Sequence, residues 1–225
     1  MCLESERPSS IRRQVCFSEA VYDGETSVDG MKAVRVKNME DILTAWQKRE
    51  VPVLIDPKGE WIKELKPVAV VDAIIAKKNL GTYKDMAPLT IGVGPGFIAG
   101  ADVDVVFESM RGHNLTDILH ISCTGCMDHP FFIIAEIYED LSMTGERVPV
   151  KATLNGILRG LIRTGYHVSK GFKIADIDPR KEELENCFTI SDKARCIAGS
   201  VLEVICGKLM EENSSLFFGR NPDEA

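Results

Sequence analysis

Two apolar runs, Val68-Ala-Val-Val-Asp-Ala-Ile-Ile-Ala76 and Leu89-Thr-Ile-Gly-Val93, restrict this chain more than any other feature. Each is nearly continuous rather than alternating, the mark of strands buried on both faces, and such strands belong to parallel sheets covered by helices. Each run empties into a polar loop with glycine, Lys77-Lys78-Asn79-Leu80-Gly81-Thr82 after the first and Gly94-Pro95-Gly96-Phe97 after the second. In a parallel sheet both loops emerge at the carboxyl edge, where open α/β folds bind ligands. Upstream, residues 33–36 read as a strand, residues 39–49 have helical spacing through Ile42, Leu43 and Trp46, and residues 51–55 read as the next strand. Asp56-Pro57-Lys58-Gly59 closes that segment, and Asp23-Gly24 and Asp29-Gly30 predict a small hairpin or irregular element before it.

From residue 131 the texture changes to short strands punctuated by single glycines, at residues 133–138, 148–152, 156–162, 167–168 and 173–177. The spacing of Gly156, Gly165 and Gly171 is that of the second half of a biotinyl- or lipoyl-type barrel, where glycines close successive hairpins. Such barrels carry their modified lysine beside a methionine. Lys151 stands between Val150 and Ala152, so no swinging-arm attachment is expected. Thr189-Ile190-Ser191-Asp192 then opens a helix with Ala194, Ile197, Ala198, Val201, Leu202, Ile205 and Leu209 at helical spacing, Ser191 or Thr189 as its cap, and a frayed tail after Met210. The expected fold is α/β: an incomplete Rossmann-like parallel-sheet domain over residues 1–119, a linker over 120–132, a barrel-like β module over 133–180, and a C-terminal helix and tail over 181–225.

Composition removes whole classes of function. A formal charge of −7 argues against a nucleic-acid groove or an anionic membrane as partner, because both need a basic face. No apolar run reaches membrane-spanning length and the opening MCLESERPSSIRRQ lacks a signal-peptide core, so a cytoplasmic protein is expected. Seven scattered cysteines, an odd number, do not make a disulfide framework, and Cys16, Cys187, Cys196 and Cys206 read as small core residues or free thiols among apolar neighbours.

Several groups of residues have ligand chemistry, each with a plainer structural reading beside it. Glycines in the 94–97 loop let amides approach an anion closely, although Pro95 removes one donor and G-x-G-P-G is not the dinucleotide fingerprint; the plain reading is a tight turn. Lys77, Lys78 and Asn79 can form the positive side of an anion pocket or simply face solvent. Asp102, Asp104 and Val106 share a face if that segment is a strand, and Asp104, Glu108 and Arg111 share one if it is a helix. In either case Arg111-Gly112-His113-Asn114 suits a carboxylate or phosphate, against a solvated edge with internal ion pairs. Lys193 and Arg195 sit in the first turn of the last helix, a place for an anion or for ordinary capping and surface charge. His120, Cys123, Cys126 and His129 are zinc-type ligands three residues apart, yet structural zinc sites separate their ligand pairs by a long loop, so unligated loop residues are the competing reading.

Ile11-Arg12-Arg13-x-Val15-x-Phe17-Ser18-Glu19-Ala20-Val21-Tyr22-Asp23-Gly24, Ala76-Lys77-Lys78-Asn79-Leu80-Gly81-Thr82, Gly94-Pro95-Gly96-Phe97, Arg111-Gly112-His113-Asn114-Leu115, Leu158-Arg159-Gly160-Leu161-Ile162 and Cys187-Phe188-Thr189-Ile190-Ser191-Asp192-Lys193-Ala194-Arg195 together resemble one family. It is the accessory proteins of selenium-dependent molybdenum hydroxylase systems, found beside xanthine dehydrogenase-type enzymes in anaerobic bacteria. Members of that family begin with a strand and a glycine-rich Rossmann loop, whereas Met1-Cys2-Leu3-Glu4 resembles the end of the second strand, and the likeness breaks between Leu115 and Phe131. The resemblance therefore implies a copy shortened at its N-terminus and in its middle, or one whose module is completed by another chain, with oligomerisation as a further option.

The function implied by the resemblance is a non-catalytic maturation factor that binds the molybdenum-pterin cofactor or the apo-hydroxylase. Its pocket would draw on Lys77, Lys78, Asn79, Gly94, Gly96, Phe97, Asp102, Arg111, His113, Lys193 and Arg195, with Arg12 and Arg13 adding charge if the N-terminus folds over it. A nucleotide is not expected, the glycine-rich loop being absent. The alternatives are a thiol- or nucleotide-dependent enzyme that inserts sulfur or selenium, with Cys123 or Cys126 as acceptor thiol, and a docking scaffold or degenerate copy that binds no small molecule.

Overall fold

The computed structural model describes residues 1–109, 118–119, 137–141, 146–150, 152, 154–169 and 171–212. In chain order the first half contains β1 (Cys2–Glu4), α1 (Ala20–Asp23), β2 (Glu25–Val28), β3 (Met31–Val36), α2 (Met39–Gln47), β4 (Val51–Ile55), α3 (Ile62–Leu65), β5 (Val70–Asp72), β6 (Thr90–Val93) and β7 (Val105–Phe107). The second half contains β8 (Ile118–Leu119), β9 (Ile137–Leu141), β10 (Glu146–Val150), β11 (Ile157–Leu161), β12 (Ala175–Asp178) and α4 (Asp192–Glu212). These form two compact units that are discontinuous in sequence, residues 1–59 with 129–190 and residues 60–128 with 191–225, where the sequence suggested consecutive segments. The parallel strands accordingly fall into two four-stranded sheets.

In the first unit the order is β1-β4-β3-β2, with β1 and β3 parallel to β4 and β2 antiparallel to β3. The predicted hairpin is β2–β3, turned at Asp29-Gly30, both left-handed at φ 48° and 80° as two-residue hairpin turns require. The predicted strand–helix–strand is β3-α2-β4. Asn38 caps α2, its side-chain oxygen accepting the Asp41 N–H at 2.9 Å, and the buried stripe is Ile42 and Ala45 while Leu43 and Trp46 face outward. Ala20, Val21, Ala33 and Val53 make the core. The later residues contribute two antiparallel ladders, β9 with β10 and β11 with β12. Residues 167–168, expected as a strand, instead lie between two turns, closed by the Tyr166 N–H on the Arg163 carbonyl (3.1 Å) and the Phe172 N–H on Ser169 (3.0 Å).

The N-terminal arm explains why distant segments share this unit. The Leu161 N–H bonds the Ile11 carbonyl at 2.7 Å, Arg13 Nε donates to the Leu161 carbonyl at 3.0 Å, and Arg12 Nη2 donates to the carbonyls of Asn186, Cys187 and Thr189 at 3.2, 3.1 and 3.2 Å. Arg163 lies over the Tyr22 ring, 4.3 Å from its centroid, while bonding Glu19 and Asp23. Both N-terminal arginines thus act as straps inside this unit.

Asp176 and Asp178, nearly buried on β12, meet Arg159 and Arg180, and the Arg180 hydrogen bond holds the Asp178 carboxyl well below the usual carboxylate range. Because the folded value is depressed, this contribution to stability is present above the unfolded value of about 3.9 and fades as pH falls below it. Asp178→Asn is expected to lower the urea midpoint at pH 7 and to flatten its decline between about pH 4 and 2; an unaltered acid profile would remove Asp178 from the clamp.

In the second unit the order is β5-β6-β7-β8, with β5, β6 and β7 parallel and β8 antiparallel. Every residue of β6 is buried, as its apolar run predicts. The earlier run is not a strand throughout: β5 is an edge strand ending at Asp72, whose carboxylate accepts the Ile74 N–H at 3.0 Å and turns the chain, leaving Val71, Ile74 and Ile75 exposed. The connection from β5 to β6 has only a single turn of 3-10 helix, Lys84–Met86. The face that a crossover helix would cover is covered by α4, whose Val201, Val204 and Ile205 pack on Leu89, Ile91, Val105 and Phe107. Ser191 caps α4 by accepting the Ala194 N–H at 3.2 Å. Cys187 is buried and Cys16 half-buried, but Cys196 and Cys206 lie on the exposed side of α4 rather than in a core.

Candidate functional site

The ends of the three parallel strands converge. The loop after β5 turns through Ile75, left-handed at φ 58°, a conformation costly for a β-branched side chain. The loop after β6 turns through Gly94 at φ 101°, its N–H bonding the Phe107 carbonyl at 2.9 Å and so tying it to the end of β7. A Cβ placed on Gly94 would stand 3.4 Å from Ile75 Cγ2 and 3.5 Å from Ser109 Oγ, so one residue from each loop borders the same point. Two residues on, a Cβ on Gly96 would lie 2.7 Å from the Ala76 carbonyl oxygen and 3.0 Å from the Lys78 carbonyl carbon, so the loops touch backbone to backbone and only glycine permits it.

The predicted residues divide by role. Lys77 and Lys78 are exposed on the rim. Asn79 is spent inside its loop, its oxygen accepting the N–H groups of Gly81 and Thr82 (both 2.9 Å) and its amide donating to the Thr82 carbonyl at 2.7 Å. Asp102 likewise accepts the Ile98 N–H at 2.8 Å and closes the next loop. Phe97, expected to touch a ligand, is instead a core residue packed with Val103 and Val106, its ring against the bare α-carbon of Gly92. Of segment 102–107 only Val105–Phe107 is strand; Asp102 and Asp104 precede it, and Asp104 faces the amino end, where its carboxylate accepts the Thr90 N–H and hydroxyl, both at 2.8 Å. Lys193 and Arg195 occupy the first turn of α4, with the Arg195 N–H on the Ser191 carbonyl at 3.0 Å. Arg111, His113, His120, Cys123, Cys126, His129, Lys151 and the tail after residue 212 lie outside the described residues. Among the described residues no group of three or more His, Cys, Asp or Glu side chains is placed to hold a metal ion.

Sequence reading missed Ile75 and Ser109. The signal for Ser109 was its place just after the apolar run Val103, Val105, Val106 and Phe107, the same position relative to a strand that singled out Gly94. Its Oγ is buried with no hydrogen-bond partner among the described residues. The acids at this edge are bonded locally: Asp72 accepts the Thr82 hydroxyl at 2.6 Å and half-buried Glu108 accepts the Ser109 N–H at 2.6 Å. The loop that touches Gly96 also carries the exposed Lys77 and Lys78, cations of the kind that suit an anion. An open concavity of about 520 Å³ lies at the opposite, amino edge, lined by Lys63, Lys66, Asp85 and Met86 among others and by no glycine.

No family model matches the chain, and no solved structure matches it. No helix among the described residues is long and apolar enough to cross a membrane. The chain is 41% identical over 229 residues to "Uncharacterized protein YqeB" of Escherichia coli (strain K12), a match that takes in 90% of this chain and 42% of that protein. The chain thus spans less than half the length of the curated relative it resembles.

Proposed function

We propose that this chain is an accessory factor in the maturation of a selenium-dependent molybdenum hydroxylase, holding the anionic end of the molybdenum-pterin cofactor at the carboxyl edge of the β5–β7 sheet. In this reading the sheet is a Rossmann-like binding sheet, β9–β12 belong to a barrel-type module, and the apo-hydroxylase is the partner. The observation that carries it is the meeting of Ile75, Gly94 and Ser109 at the ends of three adjacent parallel strands, the place where open α/β sheets take ligands. The sequence resemblance supplies the identity of the ligand.

The residues fit a phosphate-bearing group. A buried hydroxyl without a partner among the described residues, the bare α-carbon of Gly94 beside it, and exposed Lys77 and Lys78 are complementary to an oxyanion. Lys77, Lys78 and the loop around Gly94 and Gly96 would hold it. When bound, the cofactor supplies the redox centre of the hydroxylase; this chain's residues position and shield it.

Protein purified from an anaerobic host that makes molybdenum cofactor is expected to retain molybdenum and a pterin mass in elemental analysis and native mass spectrometry. Lys77→Ala with Lys78→Ala is expected to lower that retention about tenfold, the loss of charge-assisted contacts worth about 1.5 kcal/mol or more. Empty wild-type protein would overturn the proposal.

A further inference from the structure

Ser109 has no side-chain exposure and its Oγ meets no hydrogen-bond partner among the described residues. Leaving a hydroxyl buried and unpaired costs about 1–3 kcal/mol, so its presence calls for a compensating role. Two facts say where that role lies. Oγ faces the bare α-carbon of Gly94, in the loop after the central strand of the three, and the side chain of Ile75 borders the same α-carbon. Ile75 closes the space from a left-handed conformation at φ 58°, with nearly half its surface in solvent (45%). A strained, half-exposed isoleucine is a poor core residue. It is well placed as a cap.

We infer that Ser109 is a ligand-contacting hydroxyl of this edge, donating to an oxygen of a phosphate-type anion seated against Gly94, and that Ile75 is the cap that such a ligand displaces. This rests on the proposed binding edge and deepens it. The inference accounts together for the unpaired hydroxyl, the glycine whose missing side chain leaves room beside it, and the isoleucine in an unfavourable backbone region. The ligand class follows from the donors present: a serine O–H, Lys77 and Lys78, with both nearby carboxylates already accepting from Thr82, Ile74 and Ser109. No proton or group is transferred.

The test uses the full chain with inorganic phosphate and with phenyl phosphate as probes, followed by calorimetric titration, beside urea unfolding. Ser109→Ala is expected to weaken binding about tenfold or more, the worth of a hydrogen bond to a charged group, while its urea midpoint stays level or rises. Ile75→Gly, which removes the cap and accepts positive φ, is expected to tighten binding several-fold. A preference for phenyl phosphate assigns the phosphate to an organic ligand; a preference for inorganic phosphate assigns it to the free ion. If wild type binds and Lys77→Ala with Lys78→Ala weakens it, but Ser109→Ala binds as wild type or loses stability, the hydroxyl is structural and this inference fails alone. If wild type binds neither probe, the inference falls together with the proposed edge.

Discussion

Replacing Phe97 by alanine is expected to destabilise the protein by about 3–5 kcal/mol, the range for emptying an aromatic ring from a packed core. The ring is 5% exposed and packs on Val103 and Val106. It also holds the loop after β6 in place, because Gly92 leaves the space the ring fills and Ile98, the next residue, anchors the turn closed by Asp102. Phe97→Leu keeps an apolar side chain there and is expected to retain anion binding and most of the stability. Urea unfolding and phosphate titration of both variants decide the matter. A loss below about 1 kcal/mol in Phe97→Ala, accompanied by loss of binding in Phe97→Leu, would mean that the ring faces the ligand and not the core.

Gly96→Val is the second large effect. Its first added carbon would stand 2.7 Å from the Ala76 carbonyl oxygen and 3.2 Å from the Lys78 nitrogen, backbone atoms that have no rotamer by which to retreat. Such overpacking costs about 1–3 kcal/mol, and relief requires the loops after β5 and β6 to part. Binding is therefore expected to fall by more than stability alone predicts, since the lysine-bearing loop moves as one piece with its backbone. If Gly96→Val loses stability but binds phosphate as wild type does, the contact between loops is packing with no bearing on the site.

The elements with a single strong local signal were legible in the sequence. Unbroken apolar character identified β6, the Asp29-Gly30 turn identified the β2–β3 hairpin, and 3.6-residue spacing with a serine cap identified α4. Features fixed by partners distant in sequence were not legible. The run over residues 68–76 has buried-strand composition, yet at the sheet edge an aspartate suffices to end the strand, and edge position is a property of the sheet. The division into two discontinuous units depends on Arg12, Arg13 and Arg163 reaching residues more than a hundred positions away, which no local pattern records.

The same holds for the candidate site. Glycine and lysine mark candidate binding loops locally, so the loops after β5 and β6 stand out in the sequence. Whether a polar side chain points to ligand or to its own backbone depends on the turn it sits in, and Asn79 and Asp102 turned out to build their loops. Ser109 is visible only as an unpaired hydroxyl, a fact of three-dimensional surroundings. Aromatic character likewise does not distinguish a stacking platform from a core anchor, which is why Phe97 reads as either until the ring is placed over Gly92.

The central claim is that three loops at the carboxyl edge of one sheet form a single anion site, and hydrogen–deuterium exchange with and without inorganic phosphate tests it most directly. Slowed exchange is expected together in peptides covering residues 73–79, 93–98 and 107–109, with residues 62–67 and 85–88 at the amino edge unchanged. Protection confined to the amino edge, or none at the three loops in protein that binds phosphate, would contradict it.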